Sequence, residues 1–272
     1  MKNYVLYDLE TNGLDLLKSA IMQITMLDST CKILLNEYVY PYNNVVEGTD
    51  IHGIDKDTLQ ANNALNATEM CTSIKKVLRK KYEREDIYWI AYNNFGFDQI
   101  ILENNFLHAQ IKMPSNWYFI DFFPLIRELY PKIQPNFKLK SVYEYLLKPK
   151  HDIQYHSSLE DTKCLYDIFH KLMIENKEEA FEKYTRCSFQ DQSILNYPLT
   201  ALQGYYPKMC LEKLNIHKIA DLHYIYQSMN FNEQSMYNFL NIQCNIYVSF
   251  LAKNIIRQLN LINQMGMISV SG

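Results

Sequence analysis

The sequence predicts an α/β fold: a mixed five-stranded sheet flanked by helices, followed by a smaller all-helical C-terminal region. Three observations carry this expectation. Apolar runs at 4–9, 21–27 and 33–40 follow one another with brief polar connections, the pattern of an antiparallel meander. Two further runs, 87–92 and 117–120, alternate with amphipathic stretches, which adds strands joined through helices. Beyond about residue 175 no strand-like run occurs.

The elements follow in order. Tyr4–Leu9 is a buried first strand ending in acids. Asp28-Ser-Thr turns the chain between the second and third strands, and Pro41 ends the third. A polar loop through Gly48, Asp50 and Gly53 leads to a helix over 68–81, with Ile74, Val77 and Leu78 on one face. After the fourth strand a helix starts near Phe97 and runs through Leu107. Asp121 closes the fifth strand as the N-cap of the next helix, and 138–147 and 158–173 read as amphipathic helices. The charged run 175–183 sets the expected division into 1–174 and 175–272.

Composition bounds the function classes. Of 272 residues 48% are hydrophobic and 21% charged, ordinary for a folded chain. A net charge of −3 excludes the global basic footprint of many duplex-DNA binders, while leaving room for a local groove. Six scattered cysteines (Cys31, Cys71, Cys164, Cys187, Cys210, Cys244) show no zinc spacing and read as reduced thiols. The early acids disfavour a signal peptide, and 246–252 is too short to span a bilayer, so an intracellular, soluble protein is expected, cytoplasmic or nuclear. Abundant Asn, Ile, Tyr and Lys point to an AT-rich genome such as that of a large DNA virus.

Asp8-Leu9-Glu10 puts two carboxylates on one face of an extended segment, because strand side chains alternate. Such neighbours repel unless a cation compensates them, and oxygen donors suit Mg²⁺ or Mn²⁺. Alone the pair is weak evidence, since a solvated strand end carries the same pattern. The longer segment Asp8-Leu-Glu-Thr-Asn-Gly-Leu14 resembles the first motif of the DnaQ-like (Asp-Glu-Asp-Asp) exonucleases. Asn94-Phe-Gly-Phe-Asp98 resembles their second motif, and His156-Ser-Ser-Leu-Glu-Asp161 the third, with the spacing of the His subclass. Ile51-His-Gly-Ile54, Asp121 and Phe137-Lys-Leu139 fall in the same order. The resemblance covers residues 1 to about 174 and is nearest to exonuclease I at 91–98.

The resemblance implies a ribonuclease H-like fold and a metal-dependent 3′→5′ exonuclease that releases nucleoside 5′-monophosphates. Asp8, Glu10 and Asp161 would hold two Mg²⁺ or Mn²⁺ ions about 4 Å apart, with Asp98 contributing through a water. His156 would act as general base. Thr11, Asn12 and Leu14 would border the terminal nucleotide, His52 would line the pocket, and Asn94 would steady substrate or chain. Single-stranded 3′ ends are the expected partner, DNA slightly over RNA. An exoribonuclease and a catalytically silent nucleic-acid- or polymerase-binding module are the alternatives.

Other groups read as structural. His151 lacks a paired Asp, Asp167 is rotated away from Asp161 toward solvent, and His108, His170, His217 and His223 have no ligand partner in sequence. Residues 199–222 resemble a degenerate helix-hairpin-helix, with Tyr206 in place of the second Gly. Lys208, Lys213, Tyr205 and Tyr206 could contact a strand there. The stretch 246–262 reads as a core helix, and the Tyr-rich C-terminal region as a possible surface for a protein partner or self-association.

Overall fold

The computed structural model describes residues 2–16, 18–149, 157–189, 191–197, 216–240 and 255–263. The chain divides into two compact units, Met1–Thr185 and Arg186–Gly272. The sheet holds β1 (Asn3–Thr11), β2 (Ile21–Asp28), β3 (Ile33–Tyr38), β4 (Ile87–Ala91), β5 (Trp117–Asp121) and β6 (Thr185–Cys187) in the order β3-β2-β1-β4-β5-β6. β1, β2 and β3 pair antiparallel, whereas β4 is parallel to β1 and β5 to β4. Five strands stand where the sequence places them. The sixth is three residues long, too short to carry a period. Past Tyr38, Val39 still donates to Met22 O of β2 at 2.9 Å and also bridges Leu65.

Among the described residues, seven α-helices accompany the sheet in the first unit: α1 (Thr49–His52), α2 (Lys56–Ala61), α3 (Ala67–Tyr82), α4 (Asp98–His108), α5 (Phe122–Leu129), α6 (Leu139–Leu147) and α7 (Ser158–Ile174). α1 and α2 lie in the stretch read as a polar loop. Each is about one turn, and local devices make them: Gly48 and Gly53 take left-handed conformations around α1, and Asp55 caps α2 by accepting from Thr58 N. α3 starts one residue earlier than expected, on a capping box between Asn66 and Glu69.

The strand alternation divides the core between two faces. Tyr4, Leu6, Ile90 and Ile120 pack with Leu165, Ile168, Phe169 and Leu172 of α7. On the other face Tyr7, Trp89 and Trp117 stack against one another and against Phe106 of α4. The compact unit runs past the expected end at 174 because the charged stretch is a helix with two apolar anchors. Phe181 and Tyr184 of the 3-10 helix Glu178–Tyr184 enter the α7 core, and Tyr4 Oη donates to Glu178 at 2.6 Å. The charges stay outside; the aromatics hold the segment to the first unit.

In the second unit, helices at Ile219–Ser228, Glu233–Asn238 and 255–263 are described. Ile255, Ile256, Leu259 and Leu261 are buried, and Arg186 is fully buried with its guanidinium 4.4 Å over the Phe189 ring. The hairpin-like segment lies mostly outside the described residues, as do 246–254 of the expected core helix. The four described cysteines are free, with Cys31 exposed and Cys71, Cys164 and Cys187 buried. Among the described residues no helix is long and apolar enough to cross a membrane.

Candidate active site

β1 extends past its last parallel pair, Leu6 with Ile90, before β4 turns away at Ala91. Asp8 and Glu10 therefore project from β1 at the carboxyl end of the parallel strands, where sheets of this kind open a crevice. They share the face that carries Tyr4 and Leu6, the face covered by α7. A register shift between Glu10 and Thr11 interrupts the pairing with β2, which resumes at Thr11 opposite Ile21.

α7 brings the third carboxylate. Its first residue is pinned to the sheet by a hydrogen bond of 2.7 Å between Thr25 Oγ1 of β2 and Ser158 Oγ. Asp161 lies in the first turn of this helix, and one carboxylate oxygen from each of Asp8, Glu10 and Asp161 comes within 4.8 Å of the others. Asp98, at the first turn of α4, is buried beside this trio. The backbone N–H groups of Leu9 and of Asp98 itself favour the ionised form of its carboxyl.

The cluster is electrostatically loaded. Burial, then the charges of Asp98, Asp161 and Glu10, push the Asp8 carboxyl well above the usual range. Burial and Asp161 push Glu10 up to about 7. Asp98 is raised by burial and by Asp121, with Glu10 adding to it, against the opposing pull of its two backbone donors. Like charges held this close are the arrangement that a hard divalent cation relieves.

The turn that carries Asp98 is built by two buried polar residues. Asn94 is fully buried; its Oδ1 accepts from Tyr7 Oη at 2.5 Å and its Nδ2 donates to Ile120 O at 2.9 Å. Asp121 accepts from Phe95 N with one oxygen and, as the expected cap of α5, from Phe123 N with the other, both at 2.9 Å. A Cβ at Gly96 would meet Asn93 Oδ1 at 2.5 Å, so a larger residue there would displace the exposed Asn93 side chain. Replacing Asn94 by Ala should cost about 3 kcal/mol of stability, since buried groups that lose partners cost roughly 1–3 kcal/mol each. Denaturant melts of the variant check this.

The residues expected to border substrate divide by their bonds. The Asn94 carboxamide is committed to the protein, so of its two expected roles its bonds serve the steadying of the chain. Asn12 is buried too: it donates to Asn43 Oδ1 and Val45 O, each at 2.7 Å, and accepts from Ala20 N. It organises the loop rather than facing outward. Thr11 Oγ1 donates to Gly13 O, and His52 Nδ1 accepts from Ile54 N at 3.1 Å. Burial holds His52 below its ordinary pKa, against the carbonyls of Glu47 and Thr11. Leu14 is the exception, 81% exposed. Asp167 is not turned to solvent as expected: it is half-buried and accepts from Tyr143 Oη at 3.0 Å, which joins α6 to α7. His151 and His156 lie outside the described residues.

Sequence reasoning missed Thr25, Ser158 and Tyr7 as positioning residues, and found Asp121 only as a cap. The sole signal for the first three is the presence of hydroxyl side chains in otherwise apolar elements.

Comparison with known proteins agrees with this architecture. The exonuclease family model RNase_T matches residues 5–169. Exonuclease DPD1, chloroplastic/mitochondrial, of Arabidopsis thaliana is 29% identical over 195 residues, covering 67% of this chain and 60% of its own. Exonuclease I of E. coli, solved with a dT13 oligonucleotide, superposes with a TM-score of 0.56 at 16% identity over 68% of this chain and 44% of its own. A 3′-exonuclease solved for its recognition of the histone mRNA stem-loop gives 0.50 at 15% identity, over 64% of this chain and 82% of its own. This chain thus spans less than two thirds of the plant relative and under half of exonuclease I. With the family match extending from β1 into α7, and so across all four carboxylates, the chain belongs to the RNase_T exonuclease family of the DnaQ-like superfamily.

Proposed function

We propose that the chain is a divalent-metal-dependent 3′→5′ exonuclease that releases nucleoside 5′-monophosphates from single-stranded ends, with DNA favoured. One observation carries the reading: three carboxylates from β1 and α7 with ligand oxygens within 4.8 Å of one another. The donor set is all oxygen, which fits Mg²⁺ or Mn²⁺. Asp8, Glu10 and Asp161 would hold the ions, and Asp98 would support them through a water. When bound, two such ions lower the pKa of an attacking water and offset charge on the departing 3′ oxygen.

The chain's own groups do the rest. His156 takes the proton of the water that attacks phosphorus, as the bond to the 3′ oxygen breaks. Leu14 offers an apolar surface to the terminal base. Asn94, Asp121, Thr25 and Ser158 keep the carboxylates in register from behind, so the site needs little rearrangement to act.

The test uses 5′-labelled single-stranded DNA and RNA with Mn²⁺ or Mg²⁺. The expected result is a ladder shortening from the 3′ end, mononucleotide product, faster loss of DNA, and arrest by EDTA. The DNA preference follows the likeness to exonuclease I, whose structure holds a deoxyoligonucleotide. Mononucleotide from RNA alone would reassign the substrate in the direction of the mRNA-recognising neighbour. None from either strand would sink the enzyme reading and leave a binding module.

A further inference from the structure

Far from the carboxylates, a groove of about 1050 Å³ is lined by Lys75, Lys76, Arg79, Lys80 and Arg84, with Glu83 as its one acid. It lies where α3 ends and where Ile87 and Trp117 open β4 and β5. Asp8 is at the other end of the sheet: Ile87 pairs with Asn3, five residues before Asp8. At about 3.3 Å per residue that is roughly 17 Å along the strand, and α3 packs with α4 on the face away from α7.

The cations are not used up by the fold. Lys75 Nζ reaches across to Lys112 O at 3.0 Å, joining the two walls of the groove. Lys76, Arg79, Lys80 and Arg84 are exposed and form no ion pair among the described residues. Glu85 is turned away, accepting from Asn3 Nδ2 at 2.8 Å. Cations in a last helical turn complement the helix dipole, but that needs one or two charges. It does not require a run that begins at Lys75 and continues past the helix end to Arg84. Lys76 and Lys80 stand four residues apart on α3, about 6 Å along its axis, and Arg84 follows just past the helix end, on a chain whose net charge is −3.

We propose that this groove is a second nucleic-acid contact, one that holds the phosphodiester backbone of a strand upstream of its 3′ end without reading bases. A concave row of ammonium and guanidinium groups matches a repeating anion, and phosphate contacts position a strand while carrying no sequence information. The inference builds on the exonuclease reading, because substrate of some length supplies the polyanion. Engagement at both places raises the effective concentration of the 3′ end at the carboxylates.

The experiment compares the wild-type chain with the quadruple variant K76E/R79E/K80E/R84E, and with a milder variant carrying Gln at the same four positions. In EDTA, anisotropy measures binding of a fluorescent single strand of about 40 nucleotides across a salt series. Four phosphate contacts at about 0.7 each predict that both variants lose about 3 units of log–log salt slope. That corresponds to contacts whose contribution falls on the order of 50-fold between 50 and 200 mM salt. With Mn²⁺, trimming of a trinucleotide, too short to span both places, should keep its kcat/KM, while KM for the long strand rises and kcat holds. An unchanged slope overturns the proposal. So does a loss shared equally by the trinucleotide, or equal competition from an acidic peptide of the same charge. If the chain degrades no nucleic acid, the binding series still reads the groove, so the two readings fail separately.

Discussion

Asp8→Asn should lower turnover on the order of 10³-fold while making the metal-free protein more stable. Metal ions supply several kcal/mol of transition-state stabilisation, and each 1.36 kcal/mol is tenfold in rate, so loss of one ligand oxygen is expected to reach that scale. The stability gain follows from the same charges. Asp8 is held among Asp98, Asp161 and Glu10, all of which raise its carboxyl beyond what burial does. The neutral amide removes one of the repelling charges and keeps the shape.

The pH dependence has a definite sign. Glu10 has a folded-state pKa of about 7 against an ordinary value of 4.5. Between these values the folded protein binds more protons than the unfolded one, so the metal-free chain loses stability as pH rises through that window. Thermal melts in EDTA should therefore give a higher Tm near the lower end of the window than above its upper end. Above pH 7 Mn²⁺ should recover the loss for the wild-type chain, and recover less for Asp8→Asn. Equal melting of the two proteins in EDTA above pH 7, with no response to Mn²⁺, would contradict the repulsive cluster.

How far the sequence discloses this site depends on the kind of residue. Asp8 and Glu10 are legible because period two and a specific motif agree. Asp98 is read from the Asn94-Phe-Gly-Phe-Asp98 context, and Asp161 from its spacing to His156. The supports are not. Thr25 meets Ser158 across 133 positions and Tyr7 meets Asn94 across 87, and no local pattern encodes such pairings. Asn12 and Asn94 show the reverse difficulty: a motif discloses that a carboxamide is needed, not which way it points. Both turn inward, where their four-sided hydrogen-bonding capacity fixes loops that a hydrophobic side chain could not. In the fold, Phe181 and Tyr184 carry the segment after α7 into the core although its charges read as a boundary.

His156→Ala should lower kcat by about 10²–10⁴-fold, the range for removal of a general base, with KM and metal-dependent stabilisation nearly unchanged. His151→Ala should stay within about twofold, because no Asp follows His151 at the spacing of the third motif. Position separates the two. His156 stands two residues ahead of Ser158, the residue through which Thr25 anchors α7, and Asp161 follows within the first turn. His151 is five residues further from that anchor and is followed by no Asp at the same spacing. The pH profile sharpens the test. With metal bound the carboxylates are ionised across the working range, so the acid limb of kcat reports protonation of the general base. That limb should vanish in His156→Ala and persist in His151→Ala. Loss of activity with His151→Ala and not with His156→Ala would overturn the assignment of His156 as the base and with it the reading of the third motif.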